Sequence, residues 1–359
     1  MYDIILAFTT ALALSYLSLP SVIKISKVRQ LMTPPEARSS HTEETPALGG
    51  IGIFIGAIFS LVLWTPFEDF GGLQYILCSI IIMFFVGLRD DLLAISPRQK
   101  FAGQVVAAFI LVVKSDIKIT GFHGVFGIGD VPEFFAILLT VFAIVLIVNA
   151  YNLIDGINGL CGSITVFTCV TMGFWFYLNQ EMALALTAAA TAGGTVGFLK
   201  YNMSGKIFMG DTGSLLVGVV AAVLFIEFIE MNADLNQEVA YRMDSGVAVG
   251  IAIILYPLLD TLRVFAVRIL ILRKSPFQPD KHHIHHYLLA AGRSHLQATG
   301  IIVLLSVLFV ALTIQLGFLG NTYLILLLIF IGIVGSTLLF FARRPTNGSD
   351  ETSTTPNAS

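Results

Sequence analysis

Eleven runs of 17 to 22 predominantly apolar residues follow one another along this chain, at 2–23, 46–66, 72–88, 101–118, 134–151, 160–178, 182–199, 213–230, 246–267, 298–317 and 321–341. A hydrocarbon core about 30 Å thick takes about 20 apolar residues wound as a helix. Backbone polar groups in lipid must be satisfied within the helix itself. The pattern therefore predicts an all-α, polytopic integral membrane protein with about eleven transmembrane helices. A soluble fold is excluded by composition: 56% of the residues are hydrophobic and 12% charged, against about a quarter charged in ordinary soluble domains. The first run has no basic stretch before it and no small-residue cleavage site, so it reads as a retained helix. Cys78, Cys161 and Cys169 lie in apolar runs without metal-ligand spacing. They are expected to be core residues outside any disulfide framework.

Charge orients the spans. Of the 20 lysines and arginines, sixteen fall in the odd-numbered loops and the C-terminal tail. Only Lys114, Lys118 and Arg242 fall on the other side, and Arg263 lies within a span. Cytoplasmic loops carry the excess of Lys and Arg, so the N-terminus is expected in the periplasm and the C-terminus in the cytoplasm. Residues 1–344 read as a single transmembrane catalytic domain. Residues 345–359, rich in Ser, Thr, Asn and Gly, read as a disordered cytoplasmic tail.

The polar, glycine-bearing clusters also gather on the basic side, which suggests a site built at one membrane face. The third loop contains Arg89-Asp90-Asp91 and continues to Lys100. Adjacent aspartates at an apolar helix end are costly unless paired or bound to metal. One could act as a base and the other hold a hard cation. They point about 100° apart on a helix, so they need not share a ligand. A solvated helix end neutralised by Arg89 is the plainer alternative. The fifth loop spaces Asn149, Asn152, Asp155 and Asn158 three residues apart, with Gly156 and Gly159 breaking regular geometry. Amide and carboxylate oxygens suit magnesium and can read a nucleobase edge. A bland Gly-Asn turn is the alternative there.

The seventh loop, Phe208-Met209-Gly210-Asp211-Thr212-Gly213, opens a helix. Helix N-termini favour anions such as phosphates, and Asp211 there suggests a bridging cation rather than direct contact. Asp211 or Thr212 as a helix cap is the alternative. The ninth loop carries His282, His283, His285 and His286. Such a cluster could bind zinc, but no cysteine is near, and in an Asp- and Asn-rich site it fits phosphate oxygens or sugar hydroxyls better. An interfacial histidine patch is the bland alternative. Gly49 and Gly50 open the second span and allow close packing or backbone approach to a ligand. Cation ligands, cationic groups and a membrane location together suit phosphoryl transfer, which needs mainly positioning and charge neutralisation.

Asp90-Asp91, the stretch from Asn149 to Leu160, the stretch from Phe208 to Gly213 and His283-Ile284-His285-His286 resemble the polyprenyl-phosphate N-acetylhexosamine-1-phosphate transferases, over nearly the whole chain and in the same order. The His-Ile-His-His form is closer to the bacterial branch that transfers GlcNAc-1-phosphate than to the muramyl branch. The resemblance implies ten or eleven transmembrane helices, magnesium as cofactor with manganese as a substitute, and release of UMP. It implies Asp90 and Asp91 as the catalytic acidic pair, without settling which is the base. Asp155 joins the catalytic set at an acidic position beside the ribose and phosphates. Asp211 is the implied metal ligand, with Asn152 or Asp91 close by, and Lys100 holds phosphate. Asn158 and Phe208 are the implied uracil contacts, with Asn202 adding to that pocket. His283, His285 and His286 are the implied diphosphate or sugar contacts. Many relatives carry Asp or Asn where this chain has Ala94, and no role is assigned to that position.

These expectations give a reaction. Undecaprenyl phosphate from the bilayer attacks UDP-GlcNAc at the cytoplasmic face of a bacterial inner membrane. The product begins a cell-surface polysaccharide such as lipopolysaccharide O-antigen, a capsule or teichoic acid. No nucleic-acid partner is expected. Relatives are often dimeric, so a homodimer is admitted without an assigned face. Other UDP-sugars, UDP-MurNAc-pentapeptide among them, and a histidine-dependent metal or solute transporter are the competing readings. Residues 246–272 carry Asp260, Arg263 and Arg268 on a stretch about 40 Å long as a helix. Such a span is expected to tilt or break, with Asp260 and Arg263 paired. The resemblance implies a broken helix beside the lipid-substrate groove.

Overall fold

A computed structural model describes residues 1–31, 45–236, 238–271, 273 and 283–342. The expected tail at 345–359, most of the first loop and His282 lie outside the described residues. The helices are α1 (Tyr2–Val28), α2 (Gly50–Trp64), α3 (Phe70–Leu93), α4 (Pro97–Lys114), α5 (Glu133–Leu153), α6 (Leu160–Leu178), α7 (Met182–Asn202), α8 (Gly210–Asp234), α9 (Gly246–Ile253), α10 (Leu255–Ala266), α11 (Ile284–Ala290), α12 (His295–Gln315) and α13 (Asn321–Ala342). An isolated bridge joins Gly121 and Asp130 in antiparallel fashion.

Each of the eleven apolar runs is helical. Among the described residues eight helices are long and apolar enough to cross a membrane, and α9 with α10 makes a ninth if the bent pair is one span. Helix α2, at 15 residues, is about 22 Å long and falls short of the hydrocarbon thickness by itself. Helix α4 begins with Arg98, Gln99 and Lys100, which dilute its apolar character. The break expected near residues 246–272 is present as a 76° bend between α9 and α10.

Helix α8 is the centre of the fold and packs against α2, α3, α5, α6, α7 and α9. Its residues are apolar nearly all round, as a helix buried on every side requires. Glycines set how closely its neighbours approach. A Cβ on Gly50 of α2 would strike the backbone of Gly213, and one on Gly87 of α3 would strike that of Asp211. Such small-residue contacts let helices close without a hydrophobic driving force between them. Here they bring the end of α3 against the first turn of α8, where most of the polar motifs meet. At the far end of α8, Glu230 accepts hydrogen bonds from Thr120 and pairs with His123 at 2.8 Å. That pairing raises the His123 pKa.

Two expectations need correcting. Cys161 and Cys169 are buried, but Cys78 lies on the exposed face of α3, turned away from the core. The motifs expected in loops are largely helix ends: α3 runs through the aspartate pair to Leu93, and α5 through Asn152 to Leu153. Intrahelical hydrogen bonding continues as long as no breaker intervenes, and charged residues in a last turn do not break a helix.

Candidate active site

The turn after α3 places two of the charged groups. Ala94 has φ +46° and caps α3 in the left-handed region, and Asp90 Oδ1 accepts a hydrogen bond from the Ile95 amide at 2.9 Å. Asn and Asp tolerate that backbone region better than Ala. Ser96 and Gln99 form a capping box and Pro97 occupies the first turn of α4, which fixes Lys100 one turn into the helix.

Lys100 is the hub. Its Nζ contacts Asp211 Oδ2, lies 3.3 Å from Asp90 Oδ2 and donates to Asn152 Oδ1 at 3.2 Å. Asn152 Nδ2 donates to Asp211 Oδ1 at 2.7 Å and to Ser214 Oγ at 2.8 Å. Three helix ends thus bring two carboxylates and an amide oxygen onto one cation. An all-oxygen set with one or two carboxylates is what a hard divalent ion takes when substrate phosphate completes its shell. Among the described residues no group of three or more His, Cys, Asp and Glu could hold a metal by itself.

Asp91 faces elsewhere. Its Oδ1 accepts from the Asp211 amide at 2.9 Å, and its Oδ2 from the Thr212 amide at 2.8 Å and the Thr212 hydroxyl at 2.6 Å. Asp155 Oδ2 accepts from the Gly210 amide at 3.1 Å. Two carboxylates from other segments therefore occupy the start of α8. The amides at this helix start thus have anionic partners already, favoured by the helix dipole. Asp211 and Thr212 are not caps by their side chains. Burial is the main cause that pushes the Asp155 carboxyl up to about 7, and the nearby negative charges of Asp211 and Asp91 add to it.

That shift has a sign. A carboxyl that holds its proton more tightly when folded contributes stability below its unfolded pKa and loses it as pH rises through about 7. Asp155→Asn removes the ionisable group and can keep the Gly210 hydrogen bond. In metal-free protein it is expected to raise the melting temperature at pH 8 by several degrees more than at pH 5. A pH-independent change would show that Asp155 does not titrate near neutrality.

A cavity of about 850 Å³ opens beside this cluster. Asp90, Lys100, Asn149, Asn152, Asp155 and Gly156 line one wall, and Thr261, Phe265 and Arg268 from α10 and its π-helical extension line another. His283, His285 and His286 close it, with apolar Phe142, Val145 and Leu146 of α5 below. His285 is 1% exposed, and burial is the main cause that lowers its pKa to about 3, so it is neutral at physiological pH. A Cβ on Gly156 would lie 2.6 Å from His285 Nε2, so the fifth-loop glycine is the seat of that ring.

The remaining candidates sit apart from this cavity. Asn202 Oδ1 accepts from the Gly159 amide at 2.7 Å, and its Nδ2 donates to the Ile207 carbonyl at 2.9 Å, tying two loops together. The backbone of Phe208 pairs with Pro46 and Gly49, at 2.8 and 2.9 Å. Asn158 is buried, and its Oδ1 has no hydrogen-bond partner among the described residues. Sequence reasoning gave no role to Gln104, which exchanges two hydrogen bonds with Asn149, at 3.2 and 2.8 Å. A lone polar residue on the α4 face was the available signal. Asp260 was assigned only its pairing with Arg263, which is present at 3.2 Å.

Residues 73–229 match the family model of glycosyl transferase family 4. The decaprenyl-phosphate N-acetylglucosaminephosphotransferase of Mycolicibacterium smegmatis is 32% identical over 291 residues, covering 75% of this chain and 71% of the relative. The undecaprenyl-phosphate alpha-N-acetylglucosaminyl 1-phosphate transferase of Yersinia pestis is 29% identical, covering 85% of this chain and 81% of the relative. Its namesake from Escherichia coli (strain K12) is 27% identical over 80% and 77%. With the helix ends and acidic cluster in the order its motifs require, the chain belongs to glycosyl transferase family 4, among the polyprenyl-phosphate N-acetylhexosamine-1-phosphate transferases.

Proposed function

We propose that this phosphoglycosyl transferase moves GlcNAc-1-phosphate from UDP-GlcNAc to undecaprenyl phosphate. It releases UMP at the cytoplasmic face of a bacterial inner membrane that it crosses with ten or eleven helices. The observation that carries the reading is the convergence of Asp90, Asn152 and Asp211 on Lys100 at the edge of a large cavity that histidines and Arg268 also line. The names of the relatives support GlcNAc as the sugar. They divide between decaprenyl and undecaprenyl acceptors, so chain length rests on the bacterial branch of the resemblance.

Magnesium would be held by Asp211 with Asn152, and when bound it supplies charge neutralisation for the diphosphate and the leaving UMP. Lys100 and Arg268 bind phosphate oxygens. Asp90 lines the cavity, as Asp155 does, and takes any proton left on the acceptor phosphate, whereas both Asp91 oxygens are engaged with α8. An acceptor oxygen bonds to the β-phosphorus of the donor as the bond from that phosphorus to the bridging oxygen breaks. The orphaned Asn158 Oδ1 is a ready acceptor for the uracil N–H.

The test is UMP release by purified protein from a panel of UDP-sugars, with lipid phosphate and magnesium each present or omitted. Release from UDP-GlcNAc that requires both is the expected result. No release from any sugar by folded protein would sink the transferase reading of this chain.

A further inference from the structure

Asp260 is a carboxylate inside a helix of the membrane domain, and it is 0% exposed. A buried charge there is expensive unless several donors satisfy it. Three do. Oδ2 pairs with His283 Nδ1 at 2.8 Å, and Oδ1 accepts from the Ile284 amide at 2.9 Å and from an Arg263 guanidinium nitrogen at 3.2 Å. Arg263 in turn lies over the Tyr287 ring, 5.2 Å from its centroid. Asp260 therefore touches both the first histidine of the His-Ile-His-His run and the start of the short helix that carries the others.

The location is specific. The 76° bend sets the direction of α10. One residue on from Asp260, Thr261 lines the cavity, as Arg268 does two turns later. Asp260 itself does not line the cavity, whereas its partner His283 does. A carboxylate accepting at Nδ1 requires that nitrogen to carry hydrogen, which leaves Nε2 as the nitrogen available to a ligand.

We propose that Asp260 is a positioning residue for the transfer reaction: it fixes the tautomer and ring orientation of His283 so that Nε2 meets a phosphate or hydroxyl oxygen of the donor. The proposal rests on the transferase reading above. It differs from a purely structural role in that the effect of Asp260 passes through one imidazole.

A double-mutant cycle separates the two. Asp260→Asn keeps the size of the side chain but offers an amide to His283. kcat and KM for UDP-GlcNAc are measured for wild type, Asp260→Asn, His283→Ala and the double variant. The melting-temperature shift induced by UDP-GlcNAc is measured in the same four proteins. Asp260→Asn is expected to lower kcat/KM about 10- to 100-fold, as loss of a partner that orients a binding histidine does. The double variant is expected to be no worse than His283→Ala by more than about twofold. Losses that multiply would overturn the proposal. If Asp260→Asn does not fold, Asp260→Glu, which keeps the charge and displaces the oxygens, is expected to lower kcat/KM. Wild-type kcat/KM in that variant would equally overturn it. Wild-type protein with neither UMP release nor a UDP-GlcNAc-induced shift overturns the transferase reading and this one together. An active wild type with multiplying losses overturns this one alone.

Discussion

Asp211→Ala is expected to reduce UMP release by about 10³-fold or more while the protein remains folded in detergent. The two halves of this result have separate causes. The Asp211 side chain meets Lys100 and Asn152, the groups at the cavity edge. Its backbone amide is held by Asp91 regardless of the side chain. Helix α8 therefore keeps its start when the carboxylate is removed. Lys100 keeps Asp90 and Asn152, and Asn152 keeps Ser214. The Lys100 and Asp211 side chains are largely buried, at 18% and 25% exposed, so losing their pairing lowers stability, but Lys100 keeps Asp90 as its counter-charge. On the proposed mechanism activity falls because the donor diphosphate would lose its cation site. A variant with the wild-type rate would remove Asp211 from the mechanism. A variant that unfolds would show that the carboxylate holds the fold.

Asp91→Asn is expected to behave differently and to lose stability and activity together. Asp91 accepts three hydrogen bonds from the first turn of α8. An asparagine offers one oxygen and turns an N–H₂ group toward donors. Hydrogen bonds to a charged group contribute about 1.5–3 kcal/mol each, and orphaned buried donors cost more than the bond itself. A loss of about 3 kcal/mol is a fair expectation for the set, read as a lower melting temperature and faster amide exchange at residues 211–214. Asp90→Asn, by contrast, is expected to lose rate with a smaller change in melting temperature. The two adjacent aspartates would then separate into one at the reacting groups and one that builds the helix start. Equal melting of Asp91→Asn and wild type would refute the capping role.

The Asp91 prediction also shows where sequence reasoning stops. Side chains 100° apart on a helix need not share a ligand, and that much was legible from the pair alone. Which of the two faces the cavity was not legible, because it depends on the rotation of α3 about its axis. Gly87 against the Asp211 backbone sets that rotation. The partners of the first α8 amides were not legible for the same reason: they are carboxylates more than fifty residues away in sequence. Cys78 was misjudged because an apolar residue in a membrane helix can face lipid as readily as protein, and hydrophobicity does not distinguish them.

What the sequence determined by itself is the class of molecule and the ingredients of its site. Apolar runs of bilayer length admit little besides helices, since backbone groups have no other partners in hydrocarbon. Asp90, Lys100, Asn152, Asp155, Asp211 and the histidines are costly at these positions without partners, and they marked the site before any contact was known. The tertiary structure alone decided the partnerships: Lys100 as the hub, Asp91 and Asp155 spent on α8, Asn202 spent on two loops, and Asp260 behind His283. Hydrogen bonds act over about 3 Å, whereas these residues are separated by tens of positions along the chain. Only the packing of α3, α4, α5 and α10 around α8 and the cavity brings their ends within that reach.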